Sequence, residues 1–259
     1  MTTALTILDN LWTRVEGDAD EAEHLLRFRP PGYQFAPSYQ HKRWDGWISL
    51  VRHRRGETFI PTGLVPYVLE QPWAANYKLS DQRHAPEFST IYATEQRVTL
   101  DYHQEEAVRV AVSKGRGIVQ YPTGTGKARC IGETIRRLQM PALILVDKLD
   151  LLTQLGKEVE ACIGQDVGRI GGGHWELADC TISTFQTLAR RLNNARTEAD
   201  ILRDLGRFQV VICDEAHHTA AKTFEQVLKA LPQAYHRLGF SATPFRSFKG
   251  KSADRGTFL

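Results

Sequence analysis

One stretch, GIVQYPTGTGKARC at residues 117–130, limits what this chain can fold into more than any other. An apolar, strand-like run ends in a loop containing Gly124 and Gly126, and KARCIGETIRRLQ then reads as an amphipathic helix. Glycines at those positions let the backbone curl so that successive N–H groups face an anion, and a helix N-terminus adds partial positive charge. Thr123, Gly124, Thr125, Gly126, Lys127 and Ala128 therefore form a candidate phosphate loop, with Lys127 reaching toward the β- and γ-phosphates. The loop departs from the strict pattern twice. Tyr121 stands where its first glycine belongs, and Ala128 stands where a Mg²⁺-binding Ser or Thr is expected.

The periodicity around this loop predicts a parallel sheet. Apolar strands are expected at 117–121, 142–146, 180–184, 210–213 and 237–241, separated by helical patterns such as LLTQLGKEVEAC and TFEQVLKAL. Strands joined by helices imply right-handed crossovers and an α/β layer structure with helices on both faces. Ligands of such sheets bind at the carboxyl ends of the strands. VVICDEAHH runs a strand straight into Asp214 and Glu215 at such an end. Asp214 suits Mg²⁺, and Glu215 suits a base that orients and deprotonates an attacking water.

The texture changes near residue 90, which divides the chain into an α+β region at 1–90 and the α/β region at 91–259. In the first, DADEAEHLLRF predicts a short helix capped by Asp18 or Asp20. RWDGWISLVRHRRGETFIP predicts two strands around RRGE, with a turn at Asp45-Gly46 before them. LSDQRHAPEFST is the expected linker. Between residues 27 and 55 lie Arg27, Arg29, Lys42, Arg43, Arg52, Arg54 and Arg55 against Asp45 alone, interleaved with Tyr33, Phe35, Tyr39, Trp44 and Trp47. Cations for phosphates with flat rings for stacking suit a sequence-tolerant nucleic-acid surface. The same rings also suit the core of a small α+β domain with arginines on its wet face, and both readings stay open here.

Composition narrows the setting. The net charge of +3 permits a nucleic-acid partner without demanding one. Cys130, Cys162, Cys180 and Cys213 form no CxxC pair, which argues against a zinc site or a disulfide framework and for a reducing cytoplasm. The N-terminus lacks a signal-peptide pattern and no apolar run is long enough to span a bilayer, so a soluble protein without a membrane partner is expected.

PTGTGK, DEAHH and FSATPFR, in this order on successive strand ends, resemble the first RecA-like domain of superfamily 2 helicases and translocases of the DEAH-box type, over residues 95–250. The resemblance implies ATP and Mg²⁺ as cofactors. It also implies that Gln104 in LDYHQEEAV reads the adenine edge, and that Gln154, Thr184 and Gln186 face the bound strand. His217, Ser241 and Thr243 would couple the ATP site to the nucleic-acid groove. The family continues into a second RecA-like domain that supplies arginine fingers, whereas this chain stops at FKGKSADRGTFL. A fragment of a motor with little or no ATPase or unwinding activity is therefore implied. Residues 10–80 are similar to the accessory N-terminal domain of phage UvsW-type helicases. That likeness implies branched or duplex DNA, possibly single-stranded, as the partner, and the host-cell cytoplasm if the gene is phage-borne. DEAHH is also similar to the motor subunits of type I and type III restriction enzymes. A DNA-binding module that no longer hydrolyses ATP is the remaining alternative.

Overall fold

The computed structural model describes residues 3–86, 89–122, 124–216 and 222–242. Thr123, His217 and Thr243 lie outside the described residues. The chain divides into two compact units, residues 1–84 and 85–259.

The first unit contains strands β1 (Ala4–Ile7) and β2 (Trp12–Glu16), helix α1 (Asp20–Leu25), β3 (Arg27–Phe28), α2 (Pro37–Gln40) and β4 (Ile48–Ser49). β5 (Arg52–Arg54), β6 (Glu57–Pro61), α3 (Val65–Leu69) and β7 (Lys78–Asp81) complete it. The sheet order is β5-β6-β2-β1-β7, with β3 and β4 paired separately. Asp9 closes the β1–β2 turn, its carboxylate accepting the N–H groups of Leu11 and Trp12 at 2.6 and 2.7 Å. The expected hairpin around RRGE is β5–β6, turned on Arg55 and Gly56 with φ of 52° and 82°. Two consecutive left-handed residues are what a tight two-residue hairpin turn demands. Leu5, Val15, Leu26, Ile60 and Val68 form the core of this unit.

Two local expectations need correcting. The cap of α1 is Ala19; Asp18 instead accepts the N–H of Asp20 at 2.9 Å, one residue before the cap position. The expected linker begins inside β7, which pairs in parallel with β1. Its polar residues are compatible with a strand whose side chains are all exposed.

The second unit alternates α4 (Tyr102–Lys114), β8 (Arg116–Gln120), α5 (Lys127–Leu138), β9 (Ala142–Val146), α6 (Leu149–Ile163) and β10 (Gly168–Gly171). Then come β11 (His174–Trp175), β12 (Cys180–Thr184), α7 (Phe185–Leu192), α8 (Glu198–Leu205), β13 (Val210–Asp214), α9 (Lys222–Lys229) and β14 (His236–Ser241). Seven strands form one sheet in the order β11-β10-β12-β9-β13-β14-β8. All neighbours are parallel except β10–β11. The five expected strands are present. β10 and β11 were not legible because GRIG and HW are too short for periodicity to register.

Two apolar layers cover this sheet. Ile131, Ile135, Ile144, Val159 and Ile212 fill one, and Leu143, Leu145, Leu188, Phe208 and Phe224 fill the other. Adjacent residues of β9 therefore point to opposite layers, as the period of two requires. Register brings the strand ends into one row: Gln120 lies opposite Ser241, Phe240 opposite Asp214, and Val146 opposite Thr184.

Candidate functional site

The loop after β8 starts α5 through Gly126, whose φ of 83° is left-handed and which offers no side-chain cap. In the first turn of α5 the N–H of Arg129 donates to the carbonyl of Gly126 at 3.0 Å, which leaves those of Lys127 and Ala128 to face an anion. Gly124 is also left-handed at 78°, and a Cβ there would meet nothing within 4 Å. Space therefore lies open beside the loop. A cleft of about 710 Å³ adjoins it, lined by Gln104, Gly124, Lys127, Ala128, Asp214 and Glu215 among others.

Lys127 projects across this cleft to the end of β13. Its ammonium lies 2.7 Å from Asp214 Oδ1 and also donates to Glu215 Oε1. Lys127 and Asp214 are 13% and 8% exposed, so the pair is poorly screened by water. Burial works against the ammonium charge, but hydrogen bonds to Asp214 and Glu215 outweigh it and hold the lysine pKa above its ordinary value. Glu215 has a φ of 53°, an uncommon conformation for a residue with a side chain. Its N–H donates to Asp214 Oδ1 at 3.0 Å, which helps hold that turn. Left-handed non-glycine residues cost about 1–3 kcal/mol and cluster at functional sites.

Gln104 is held by the protein on both sides of its amide. Its Oε1 accepts the N–H of Asp101 at 3.0 Å, while Asp101 Oδ1 accepts the N–H of Gln104 at 2.8 Å, closing a capping box on α4. Its Nε2 donates to the carbonyl of Thr125 at 2.9 Å. A Cβ on Gly126 would lie 2.5 Å from that nitrogen, so Gln104 needs the glycine. The D-x-x-Q spacing was a legible signal for this cap.

The other expected residues divide between positions. Gln154 lines the same cleft as Lys127. Thr184 is buried, and its hydroxyl is 2.8 Å from that of Thr187. Gln186 is exposed and donates to the carbonyl of Asp147 at 2.9 Å. Ser241 is fully buried at the end of β14, and its carbonyl accepts the N–H of Tyr121, the residue that opens the loop. Asp101, Arg129 and Glu158, none of them singled out by motif, also line the cleft.

In the first unit, Arg27 and Arg29 both lie over the ring of Trp47, each 4.7 Å from its centroid. Arg29 also faces the Tyr33 ring and donates to its hydroxyl at 3.2 Å. Lys42 and Arg43 line a second cleft with Gln34, Tyr39 and Trp44. Arg54 lies over Trp12, on the hairpin that also carries Arg52 and Arg55. Among the described residues, none of these seven cations is paired with a carboxylate. Elsewhere Arg14, Arg83, Arg109, Arg129 and Arg136 each have one.

A glycine-bearing loop facing two acids across parallel strand ends defines a P-loop α/β domain of the RecA-like class. The chain belongs to the family described as type III restriction enzyme, res subunit, whose profile matches residues 97–246. It is 31% identical over 150 residues to the DNA 3'-5' translocase XPB2 of Sulfurisphaera tokodaii, covering 58% of this chain and 32% of that one. It is 22% identical over 255 residues to the ATP-dependent DNA helicase uvsW of Enterobacteria phage T4, covering 88% of this chain and 48% of the relative. A crystal structure of the UvsW helicase from bacteriophage T4 has the same fold, at a TM-score of 0.73 and 21% identity over 94% of this chain and 93% of that one. The chain thus spans about a third to a half of the length of these two curated relatives.

Proposed function

We propose that this chain is the ATP-binding part of a DNA helicase or translocase, and that its first unit grips duplex or branched DNA. The observation that carries the ATP reading is the contact of Lys127 with Asp214 and Glu215 across an open phosphate loop. The donor set fits the nucleotide. A cleft of about 710 Å³ adjoins the loop, two carboxylates supply the hard oxygens Mg²⁺ prefers, and the space beside Gly124 is clear. Asp214 would hold Mg²⁺, which would supply positive charge against the charge developing on the phosphates.

Lys127 would exchange its two carboxylates for phosphate oxygens. That exchange would release Asp214 to hold the metal and Glu215 to orient and deprotonate the attacking water. Ala128 has no hydroxyl to offer the metal, so hydrolysis by this chain is expected to be slight. Gln104, Ser241 and, outside the described residues, Thr123, His217 and Thr243 complete the proposed ATP-binding and coupling set. Gln154, Thr184 and Gln186 complete the proposed DNA-contacting set. Among the described residues no helix is long and apolar enough to cross a membrane.

The test is binding of a fluorescent ATP analogue with and without Mg²⁺, followed by DNA-stimulated hydrolysis in Ala128→Thr. Loss of binding in Lys127→Ala is expected, and unchanged binding there would sink the ATP reading. A second reading, a DNA-binding module that no longer hydrolyses ATP, rests on Ala128. DNA binding indifferent to nucleotide would favour it. The restriction-motor reading is less supported, because the relatives above carry the names of DNA translocases and helicases.

A further inference from the structure

Of the five rings interleaved with the arginines of residues 27–55, four are already engaged. Tyr33 and Tyr39 meet edge to face at 4.9 Å and pack on buried Gly46, where a Cβ would lie 2.5 Å from the Tyr33 ring. Trp44 donates its indole N–H to the carbonyl of Trp47 at 2.6 Å. Trp47 lies under two guanidinium groups. Phe35 differs: its side chain belongs to none of these contacts and the residue is 74% exposed.

Phe35 is also held in place. It ends a 3-10 turn, Tyr33–Phe35, entered through left-handed Gly32, and its N–H donates to the carbonyl of Gly32 at 3.0 Å. The preceding residue, Gln34, lines the cleft shared with Lys42 and Arg43. Arg29 donates to the hydroxyl of Tyr33, in the same turn, at 3.2 Å. A lone exposed apolar ring is ordinary on a protein surface. One on a short turn whose other residues, Tyr33 and Gln34, meet Arg29 and share a cleft with Lys42 and Arg43 is a built arrangement.

We propose that Phe35 is a base-stacking residue, taking an unpaired base where duplex DNA opens while the neighbouring arginines and Lys42 hold the flanking phosphates. This rests on the DNA-binding reading of the first unit and goes beyond it by naming unpaired bases as the ligand. Trp47, by contrast, positions Arg27 and Arg29 and is not a stacking platform, since guanidinium groups already occupy its surface. Duplex bases are stacked on one another and offer no free face. The ring therefore selects forks, gaps and single strands.

The test uses the full 259-residue chain. Its probes are a blunt duplex and a fork of the same length with 2-aminopurine at the first unpaired position. The wild-type chain should perturb 2-aminopurine fluorescence on binding the fork. Phe35→Ala should lose that signal and lower the ratio of fork to duplex affinity about tenfold, whereas Phe35→Trp should keep both. Melting curves check that each variant is folded. If Phe35→Ala matches the wild type in signal and ratio while Arg27→Ala/Arg29→Ala weakens binding to both DNAs, DNA binding stands and the stacking role falls. If the wild-type chain binds neither DNA, the underlying reading fails with it.

Discussion

Two groups of cations, one on α5 and one within residues 27–55, are treated in opposite ways. In the cleft of the second unit Lys127 is enclosed by Asp214 and Glu215, and nearby on the same helix Arg136 and Arg137 share the fully buried Glu133. In the first unit Arg27 and Arg29 rest on aromatic faces, and no carboxylate among the described residues neutralises them. A paired cation near carboxylates serves order, or waits for a ligand that brings its own negative charge. An unpaired cation on a ring keeps its charge for a partner outside the chain, because a π face attracts it without cancelling it. On the proposed reading, the contrast separates a site for a small phosphate ligand with a metal from a surface for a polyanion.

The comparison breaks most sharply at Glu133. Its removal would leave buried Arg136 uncompensated, and Arg136 also donates to the carbonyl of Thr94 at 2.6 Å, fastening that segment to α5. Glu133→Ala should lower unfolding stability by about 3–5 kcal/mol, read from urea denaturation. An effect below about 1 kcal/mol would mean that water or rearrangement satisfies the arginines.

Next in size is the gain from restoring a metal ligand. Ala128→Thr should tighten Mg²⁺-dependent nucleotide binding by about 1.5–3 kcal/mol, or roughly ten- to hundredfold. It should leave Mg²⁺-free binding nearly unchanged. Titration of a fluorescent nucleotide at fixed Mg²⁺ measures this, and equal gains with and without metal would remove the hydroxyl's assigned role.

A smaller effect is expected from the unpaired cations. Arg27→Ala and Arg29→Ala should each change stability by no more than about 0.5 kcal/mol. Each should lower the salt slope of DNA binding by about 1. A large loss of stability would turn these arginines into structural residues and erase the contrast with α5.

The least change is expected from mild alkali. The folded-state pKa of Lys127 is raised above the ordinary 10.5, so its contribution to stability is complete below that value and is lost only as pH rises through the higher folded value. The stability difference between wild type and Lys127→Met should therefore be the same at pH 7 and pH 9. The cysteines supply an independent check of the same core. Burial pushes Cys130 up to about 11 and Cys162 up to about 12, so neither should react with a thiol reagent at pH 8 until the chain is unfolded.

The five main strands and the phosphate loop were legible because their causes are local. ALILV and VVIC are apolar throughout, as a strand buried on both faces must be, and glycines mark where the loop needs left-handed backbone. Arg55-Gly56 was legible as a hairpin turn for the same reason. The roles of Gln104, Thr184 and the first unit's rings were less so. A glutamine in a motif does not disclose that both ends of its amide are engaged, nor does a threonine at a strand end disclose that its hydroxyl is buried against Thr187.

By itself, the sequence determined a parallel α/β unit with a phosphate loop, two acids at a strand end, and a basic, aromatic segment ahead of them. Those follow from residue type, period and backbone preference, which act over a few neighbours. Only the tertiary structure decided that Lys127 meets Asp214 and Glu215, 87 and 88 residues further along the chain. It also decided that Arg27 and Arg29 keep their charges on Trp47, and that Phe35 is left exposed. Contacts of that kind depend on strand register and on which groups burial leaves without partners, and neither is written in any single stretch of the chain.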